Sequence, residues 1–498
     1  MKTGESLNDA RIGRSAAVER AALKDELRSD ERAGDRSPTR GARRGVGMTV
    51  AVGAVVALAG FMIGTRPLAD NSFFTHLATG RLILRHGIPH VDPYSFTAHG
   101  HLWVVQSWLA SAIYAIADRI GGGHALVLLQ GCFSAALAGL IWRLARPAET
   151  LISRIIVIMP AIAIGASWWV SRPLMFGLLF FAACVLLAEQ DELSPWWLLP
   201  IGWLWVNSHG SFPFGPLYFG VRLVGRAIDH GDLSRMRRLF IISVAGVLVG
   251  GVNPLGLRLL AFPLSVLGRG TVLHQVVEWR SPDFTNVGNL AFLLSAVAAL
   301  VMLQRRRSWE EALVAGVLAG AGLFALRNTL IASIALTPIL ARGVRGLGRI
   351  RGDRRTVVAL AATGAVVVVA FASLASTLNR PAYDLKRYPV AELNWMNSHG
   401  LLQKRVAAPD YVGNFRTLRE GANAEVFIDD RYDMYPSAVA RSAFAVSDGA
   451  RGALAELRRR GIDVFLWDRR QAIATIVAES PEWRVVHQTE KWIVAERV

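Results

Sequence analysis

The stretch from Ala69 to Thr97 concentrates side chains that can move protons or bind a cation, directly after an apolar run. It contains Asp70, His76, His90 and Asp92. A carboxylate at a membrane edge faces water on one side and a low-dielectric wall on the other. Asp70 can therefore take a proton from an incoming hydroxyl or hold a divalent cation. The alternatives are structural, because Asp70 can cap the following helix and Asp92, which precedes a proline, can form a turn.

Other polar side chains end several apolar stretches further along the chain. They are Arg172, Asn207, His209, Asn253, Glu278, Asp283, Arg327 and Asn328. Each one alone is ordinary at a membrane interface, as is His76. Together they predict a polar pocket above an apolar bundle, suited to a substrate with an anionic head and a lipid tail. The predicted spans carry almost no charged residues near their midpoints, which disfavours an ion-coupled transporter.

The amino-acid composition indicates that membrane helices position these residues. The chain of 498 residues is 52% hydrophobic and has a mean hydropathy of +0.34, which is typical of a polytopic membrane protein. The net charge of +17 comes from short basic stretches between apolar runs and from the N-terminal tail. That pattern indicates membrane topology and argues against a nucleic-acid partner.

The basic stretches predict which loops are cytosolic. Residues 1–44 read as a disordered cytosolic tail, and three basic loops at 226–238, 305–307 and 342–355 fix the parity of the later spans. The amphipathic Trp103–Ile120 segment would invert that parity if it crossed the bilayer, so we place it on the outer surface, with Gly121–Gly123 turning the chain inward. The predicted spans after residue 210 run over 213–228, 238–252, 287–304, 309–326, 328–342 and 356–376.

The predicted architecture is mainly α. A polytopic membrane bundle of about 11 spans covers residues 45–376, with an outer loop at 66–123, and sits in the plasma membrane with a cytosolic N-terminus. Residues 377–498 are predicted to form an extracytoplasmic α/β domain. We expect strands at 424–429, 462–468, 483–488 and 491–495, and helices at 390–399, 450–460 and 471–479.

The run VFIDDRYDMYP in this domain reads as a strand that leads into Asp429, Asp430, Arg431 and Asp433. Acids at the carboxyl end of a strand often mark ligand positions in α/β domains. The alternative is a charged turn in which Arg431 pairs with a neighbouring aspartate.

The first outer loop also carries a resemblance to a known group of enzymes. ADNSFFTHLATGRLILRHGIPHVDPYSFT, followed by HLWVVQSWLASAIYAIADRIGG, resembles the corresponding loop of the membrane-embedded C-type (GT-C) glycosyltransferases. More narrowly, residues 45–498 look like a bacterial, actinobacterial-like branch of that superfamily, through NSHGSFPFG, EWRSPDF and VFIDDRYDMYP. The chain departs from the pattern in placing Thr75 between its aromatic pair and His76, and in lacking a clear second Asp-x-Asp element.

The resemblance implies transfer of a sugar from a polyprenyl-phosphate carrier to a hydroxyl of a cell-envelope glycan, lipid or protein at the outer face of the bilayer. In that reaction Asp70 would be the base, with Asp92 second, and Arg172 and Arg327 would clamp the lipid phosphate. His76 and His209 would bind sugar hydroxyls or phosphate, and the C-terminal domain would help to bind the acceptor. A divalent cation, Mg²⁺ or Mn²⁺, is an open option. The competing hypothesis is a non-catalytic scaffold or lipid-carrier translocator for envelope assembly.

Overall fold

The computed structural model describes the backbone of residues 40–345 and 355–498. It describes side chains for 47–270, 272–345, 365–366 and 368–498. Residues 1–39 of the predicted tail and most of the predicted basic loop at 342–355 lie outside the described residues.

Most of the described chain is helical. The helices are α1 (Arg40–Gly64), α2 (Asn71–His86), α3 (Trp108–Leu144), α4 (Leu151–Gly165), α5 (Leu174–Glu189), α6 (Leu198–Ser208), α7 (Phe214–Ile228), α8 (Ser234–Val249), α9 (Leu257–Leu267), α10 (Gly270–Leu273), α11 (Val287–Arg306), α12 (Trp309–Phe324), α13 (Asn328–Gly343), α14 (Arg355–Leu378), α15 (Val390–Ser398), α16 (Asp410–Glu420), α17 (Ser437–Ser447), α18 (Ala453–Arg459) and α19 (Ala472–Ala478). Helices therefore occupy each of the six stretches predicted as spans after residue 210.

Contacts divide the chain into two compact units. One comprises Met1–Val52 and Arg351–Ala365, and within the described residues it contains the beginnings of α1 and α14. The other comprises Gly53–Ile350 and Val366–Val498 and contains all the candidate functional residues.

Three helical segments in the described part of the chain are long and apolar enough to cross a bilayer. They are Gly47–Gly64, Trp108–Leu144 and Val287–Arg306. Shorter apolar helices include α4, α5 and α9. These helices are those of a multi-pass membrane protein. The number of spans and their orientation stay predictions.

The long helix α3 is two helices joined at a kink. Gly121 and Gly122 leave helical geometry, and Gly122 has φ 60° and ψ −150°, which strongly favours glycine. A break in the helix therefore lies within the predicted turn at Gly121–Gly123, and the inward direction of that turn stays a prediction. The placement of the preceding segment on the outer surface stays a prediction.

The first loop packs into one core with the C-terminal domain. Phe73 and Phe74 of α2 are fully buried and share this core with Tyr114 of α3 and with Leu393 and Val412 of the C-terminal domain. A Cβ at Gly80 would lie 1.9 Å from the Ser111 carbonyl oxygen, so glycine lets α2 and α3 approach closely. The loop that carries the candidate chemistry is thus held by packing on both sides.

The C-terminal domain contains a four-stranded sheet with the strand order β1-β2-β4-β3. The strands are β1 (Val406–Ala407), β2 (Val464–Asp468), β3 (Trp483–Gln488) and β4 (Trp492–Arg497). β1 pairs with β2 in parallel, whereas β2 with β4 and β3 with β4 pair antiparallel. Three of the predicted strands and all three predicted helices are confirmed, with ends shifted by at most three residues.

The predicted strand at 424–429 is wrong. Val426 instead forms an isolated parallel bridge with Ser95 of the first loop, in which the Val426 N–H donates to the Tyr94 carbonyl at 2.8 Å. Val426, Phe427, Ile428 and Asp429 are all buried, and a short apolar run indicates burial without identifying a pairing partner. Sequence reasoning also missed β1, α16 and α17.

Candidate active site

A cavity of about 710 Å³ lies where α2, the loops that connect the helices, and the C-terminal domain meet. Nine residues singled out from the sequence line it: His76, Arg172, His209, Glu278, Arg327, Asn328, Asp430, Arg431 and Asp433. They come from widely separated segments, so the fold brings these side chains to one space. Asp70, Asp92, Asn207, Asp283 and Asp429 are not part of the lining.

Asp70 is not exposed to the cavity, but it is hydrogen-bonded to one residue of the lining, Arg172. One carboxylate oxygen of Asp70 caps α2 by accepting from the Phe73 N–H at 3.2 Å. The other accepts from Arg172 Nε at 2.7 Å, and Arg172 also forms an ion pair with Glu278. Burial alone would lower the pKa of Arg172, but the two carboxylates hold that pKa well above its usual range. The capping interpretation of Asp70 therefore has its hydrogen bond in the structure, and its role as a base or cation ligand stays a prediction.

Arg327 is the cation of the cavity whose charge is least compensated. Its guanidinium stacks on the Trp279 ring at 4.6 Å from the centroid. Within the described residues, no carboxylate oxygen lies within 4.0 Å of its nitrogens. Burial, which outweighs the attraction of Glu278, lowers the pKa of Arg327, yet an arginine side chain stays charged at neutral pH. An incompletely solvated guanidinium of this kind can bind a phosphate or carboxylate group.

His209 lies next to Arg327 and is uncharged. Its Nδ1 lies 3.2 Å from the Ser211 backbone nitrogen and 2.8 Å from Ser211 Oγ, which itself accepts from Trp205 Nε1 at 3.0 Å. Burial and the charge of Arg327 lower the pKa of His209 well below 6.5. Its Nε2 lies 3.4 Å from an Arg327 nitrogen, which can only donate. The neutral ring thus adds a polar group directly beside the guanidinium.

His76 contributes a second neutral imidazole from α2. Its Nδ1 lies 3.2 Å from Ser111 Oγ. Burial, reinforced by Arg172, lowers the pKa of His76 to about 4. Both cavity histidines are therefore uncharged hydrogen-bonding groups at neutral pH.

An apolar wall adjoins Arg327 and the two histidines. It is formed mainly by α9, α10 and the facing ends of α12 and α13. Its side chains are Phe262, Pro263, Val266, Leu267, Leu273, Phe324 and Ile331. Leu257 and Leu264 of α9 are exposed on the outside of the same wall. The cavity thus joins anion-binding groups to a lipid-like surface.

The C-terminal domain adds carboxylates from Asp410, Asp430 and Asp433. None of the three has a Lys, Arg or His nitrogen within 4.0 Å among the described residues. Burial raises the pKa of Asp430 to about 7, and it also raises the pKa values of Asp410 and Asp433. Sequence reasoning missed Asp410, which stands at the start of α16 after Pro409 and has no local pattern that marks it as a cavity residue.

Asp92 and Asp429, which are not part of the lining, form ion pairs with Arg431. Arg431 binds Asp429 through two nitrogens and reaches Asp92 at 2.7 Å. Asp92 also accepts from the backbone N–H groups of Tyr94 and Ser95, both at 3.1 Å. The geometry favours the turn interpretation for Asp92 and the paired interpretation for Arg431, and the pair joins the first loop to the C-terminal domain.

Asn207 and Asp283 are engaged in local structure. The Asn207 amide accepts from Trp108 Nε1 at 2.8 Å and donates to the Trp203 carbonyl at 2.7 Å, which ties α6 to α3. Asp283 accepts from the backbone and side chain of Thr285 in the loop before α11. Neither side chain faces the cavity.

The residues do not fit a divalent-cation site. In the part of the chain that the structure describes, no three His, Cys, Asp or Glu side chains are grouped so that they could hold a metal ion. The two carboxylate oxygens of Asp70 are already bonded to Arg172 and to the Phe73 N–H. No step below therefore passes through a metal.

Comparison with known proteins gives only distant likenesses. No protein-family model and no curated protein matches the chain. The archaeal oligosaccharyltransferase AglB from Archaeoglobus fulgidus, solved with an inhibitory peptide and a dolichol-phosphate, has a TM-score of 0.46 and 12% identity over 84% of this chain and 69% of that one. The same archaeal enzyme solved with Zn and sulfate has a TM-score of 0.47 and 12% identity, over 84% of this chain and 68% of that one. Likeness at this level does not define a family for the chain.

Proposed function

We propose that the protein is a membrane glycosyltransferase that moves a sugar from a polyprenyl-phosphate carrier to a hydroxyl of a cell-envelope acceptor at the outer membrane face. The observation that carries the proposal is the cavity in which Arg327 and His209 stand at the end of an apolar wall. A lipid-linked phosphate needs such a combination, with donors for its oxygens and an apolar surface for its tail.

The residues have separate roles in this reaction. Arg327, with the neutral His209 ring beside it, binds the phosphate and stabilises the negative charge that develops as the sugar leaves it. Arg172 supports them from the adjoining wall. Asp70 and Glu278 hold Arg172 in place through their ion pairs. The further role of Asp70 as a base, which the resemblance implies, stays a prediction.

The test uses the purified full chain in lipid nanodiscs with a labelled polyprenyl-phosphate sugar and a panel of glycan and lipid acceptors. We expect sugar transfer by the wild-type protein. We expect Arg327→Gln to weaken binding of polyprenyl phosphate by about 10- to 100-fold, the scale of one charge-assisted hydrogen bond. The matched control is Arg258→Gln, which removes an exposed cation of α9 outside the cavity lining.

The same experiment distinguishes an enzyme from the competing hypothesis of a non-catalytic scaffold or carrier-binding protein. Arg327-dependent binding of polyprenyl phosphate without transfer to any acceptor would support a scaffold or carrier-binding protein instead of an enzyme. If Arg327→Gln and Arg258→Gln bind the lipid equally well, the cavity does not hold the phosphate and the proposal fails.

A further inference from the structure

Asp430 is held rigidly at the cavity by the first outer loop. Its backbone N–H donates to Asn414 Oδ1 at 3.2 Å, and the same oxygen accepts from Thr75 Oγ1 of α2 at 2.7 Å. Ser72 in the first turn of α2 favours the charged form of its carboxylate. A residue of the C-terminal domain is thereby fixed against the segment that the resemblance marks as catalytic.

The carboxylates near the cavity differ in whether a cation neutralises them. Asp70 and Glu278 share Arg172, and Asp92 and Asp429 share Arg431. Asp430, like Asp410 and Asp433, faces the cavity without such a partner among the described residues. A carboxylate bound to a guanidinium loses proton affinity, so these three carboxylates are the better proton acceptors. Of the three, Asp430 is the one linked through Asn414 to Thr75 of α2.

The charges that act on Asp430 come from several elements. Burial raises its pKa to about 7, with Asp429 and Asp410 adding to the rise, and Ser72 and Arg172 opposing it. Tyr388 and Tyr432 also interact electrostatically with this carboxylate, but their own pKa values are raised above 10. A proton acceptor works best when its pKa lies near the operating pH.

We propose that Asp430 is the catalytic residue that accepts the proton of the acceptor hydroxyl. The inference rests on the proposed function. As the hydroxyl oxygen attacks the anomeric carbon, the new C–O bond forms and the bond from that carbon to the phosphate oxygen breaks. The electron pair leaves with the lipid phosphate, the hydroxyl proton passes to the Asp430 carboxylate, and water then removes it.

The test is the dependence of kcat/KM on pH between 5.5 and 9 for sugar transfer by the full chain in nanodiscs. For the wild-type protein we expect a rise with pH and a plateau above an inflection near 7, because the base must be ionised. Asp430→Asn should lower the rate by about 10²- to 10⁴-fold and abolish the inflection. Asp430→Glu should retain an inflection, and both variants should bind polyprenyl phosphate as tightly as the wild type.

Two further variants make the assignment specific. Asp448→Asn removes an exposed carboxylate of the same domain outside the cavity lining and should leave the rate and the profile unchanged. An inflection that survives in Asp430→Asn but disappears in Asp410→Asn would overturn the assignment. If the wild-type protein transfers sugar and Asp430→Asn is equally active, only this assignment fails, whereas no transfer by the wild type at any pH overturns the proposed function as well.

Discussion

Arg172 donates its Nε–H to Asp70 at 2.7 Å, although the two residues stand 102 positions apart in the chain. The bond fixes the start of α2 to the loop before α5, and the same guanidinium reaches Glu278 on a third segment. These side chains are 15%, 18% and 28% exposed for Asp70, Arg172 and Glu278, so solvent screens the interactions only in part. One arginine thus determines the relative placement of three segments at the cavity.

Replacing Asp70 with Asn should affect substrate binding more than chemistry. The Asn side chain can still cap α2, but it gives Arg172 no charge partner. We expect KM for the lipid-linked donor to rise about tenfold, since an ion pair of this kind contributes roughly 1–2 kcal/mol, with a smaller change in kcat. Steady-state kinetics across donor concentrations measure this split. A fall in kcat of about 10²-fold or more at unchanged KM would instead make Asp70 the proton acceptor.

Arg431 should be essential for attaching the first loop to the C-terminal domain. Its partners Asp92 and Asp429 have fully buried side chains, and removing the cation leaves two uncompensated charges. We expect Arg431→Met to lower the free energy of unfolding by about 3–5 kcal/mol, measured by denaturant titration of the solubilised full chain.

A control for Arg431 is available in the same domain. Arg458 pairs with Glu482 at a site where the arginine is 56% exposed. Arg458→Met should change the free energy of unfolding by less than about 1 kcal/mol. Equal losses in the two variants would show that the Arg431 pairs do not hold the loop.

The sequence allowed us to predict which polar residues lie near the ends of helices, but not which residues they contact. Arg172, His209, Glu278 and Arg327 each follow or precede an apolar run, and the parity of the basic loops indicated that they share one side. The structure places them around one cavity. By contrast, the hydrogen bond between Thr75 and Asn414 joins residues 339 positions apart, and no local sequence pattern in either segment indicates it.

The missed elements have physical causes. Helix α16 buries Asn414, Arg416 and Thr417 beside Val412 and Phe415. Its buried side chains are therefore a mixture of polar and apolar, which weakens the expected periodicity. β1 has only two residues, too few for an alternating pattern. Both elements are defined by tertiary contacts, and α16 carries Asp410 into the cavity.

Gly80 should be indispensable for the packing of α2 on α3. An added Cβ would lie 1.9 Å from the Ser111 carbonyl oxygen, so the helices must separate. We expect Gly80→Ala to cost about 1–3 kcal/mol of unfolding free energy. A Cβ added at Gly139 in α3 would have no atom within 4 Å, and Gly139→Ala should be neutral or stabilise the helix by up to about 1 kcal/mol. Thermal unfolding in nanodiscs compares them, and a neutral Gly80→Ala would contradict the close approach.

His76 should make the folded state sensitive to acid. Burial and Arg172 lower its pKa from 6.5 to about 4, so the unfolded chain binds a proton more tightly than the folded one. The stability that neutral His76 contributes is complete above pH 6.5 and is lost as the pH falls from 6.5 to 4, by at most about 3 kcal/mol. His76→Gln should lose less stability than the wild type between pH 7.5 and 4, measured by denaturant titration at each pH. His99→Gln, which replaces an exposed histidine, should follow the wild type, and a His76→Gln protein that does so too would show that His76 is not buried in its neutral form.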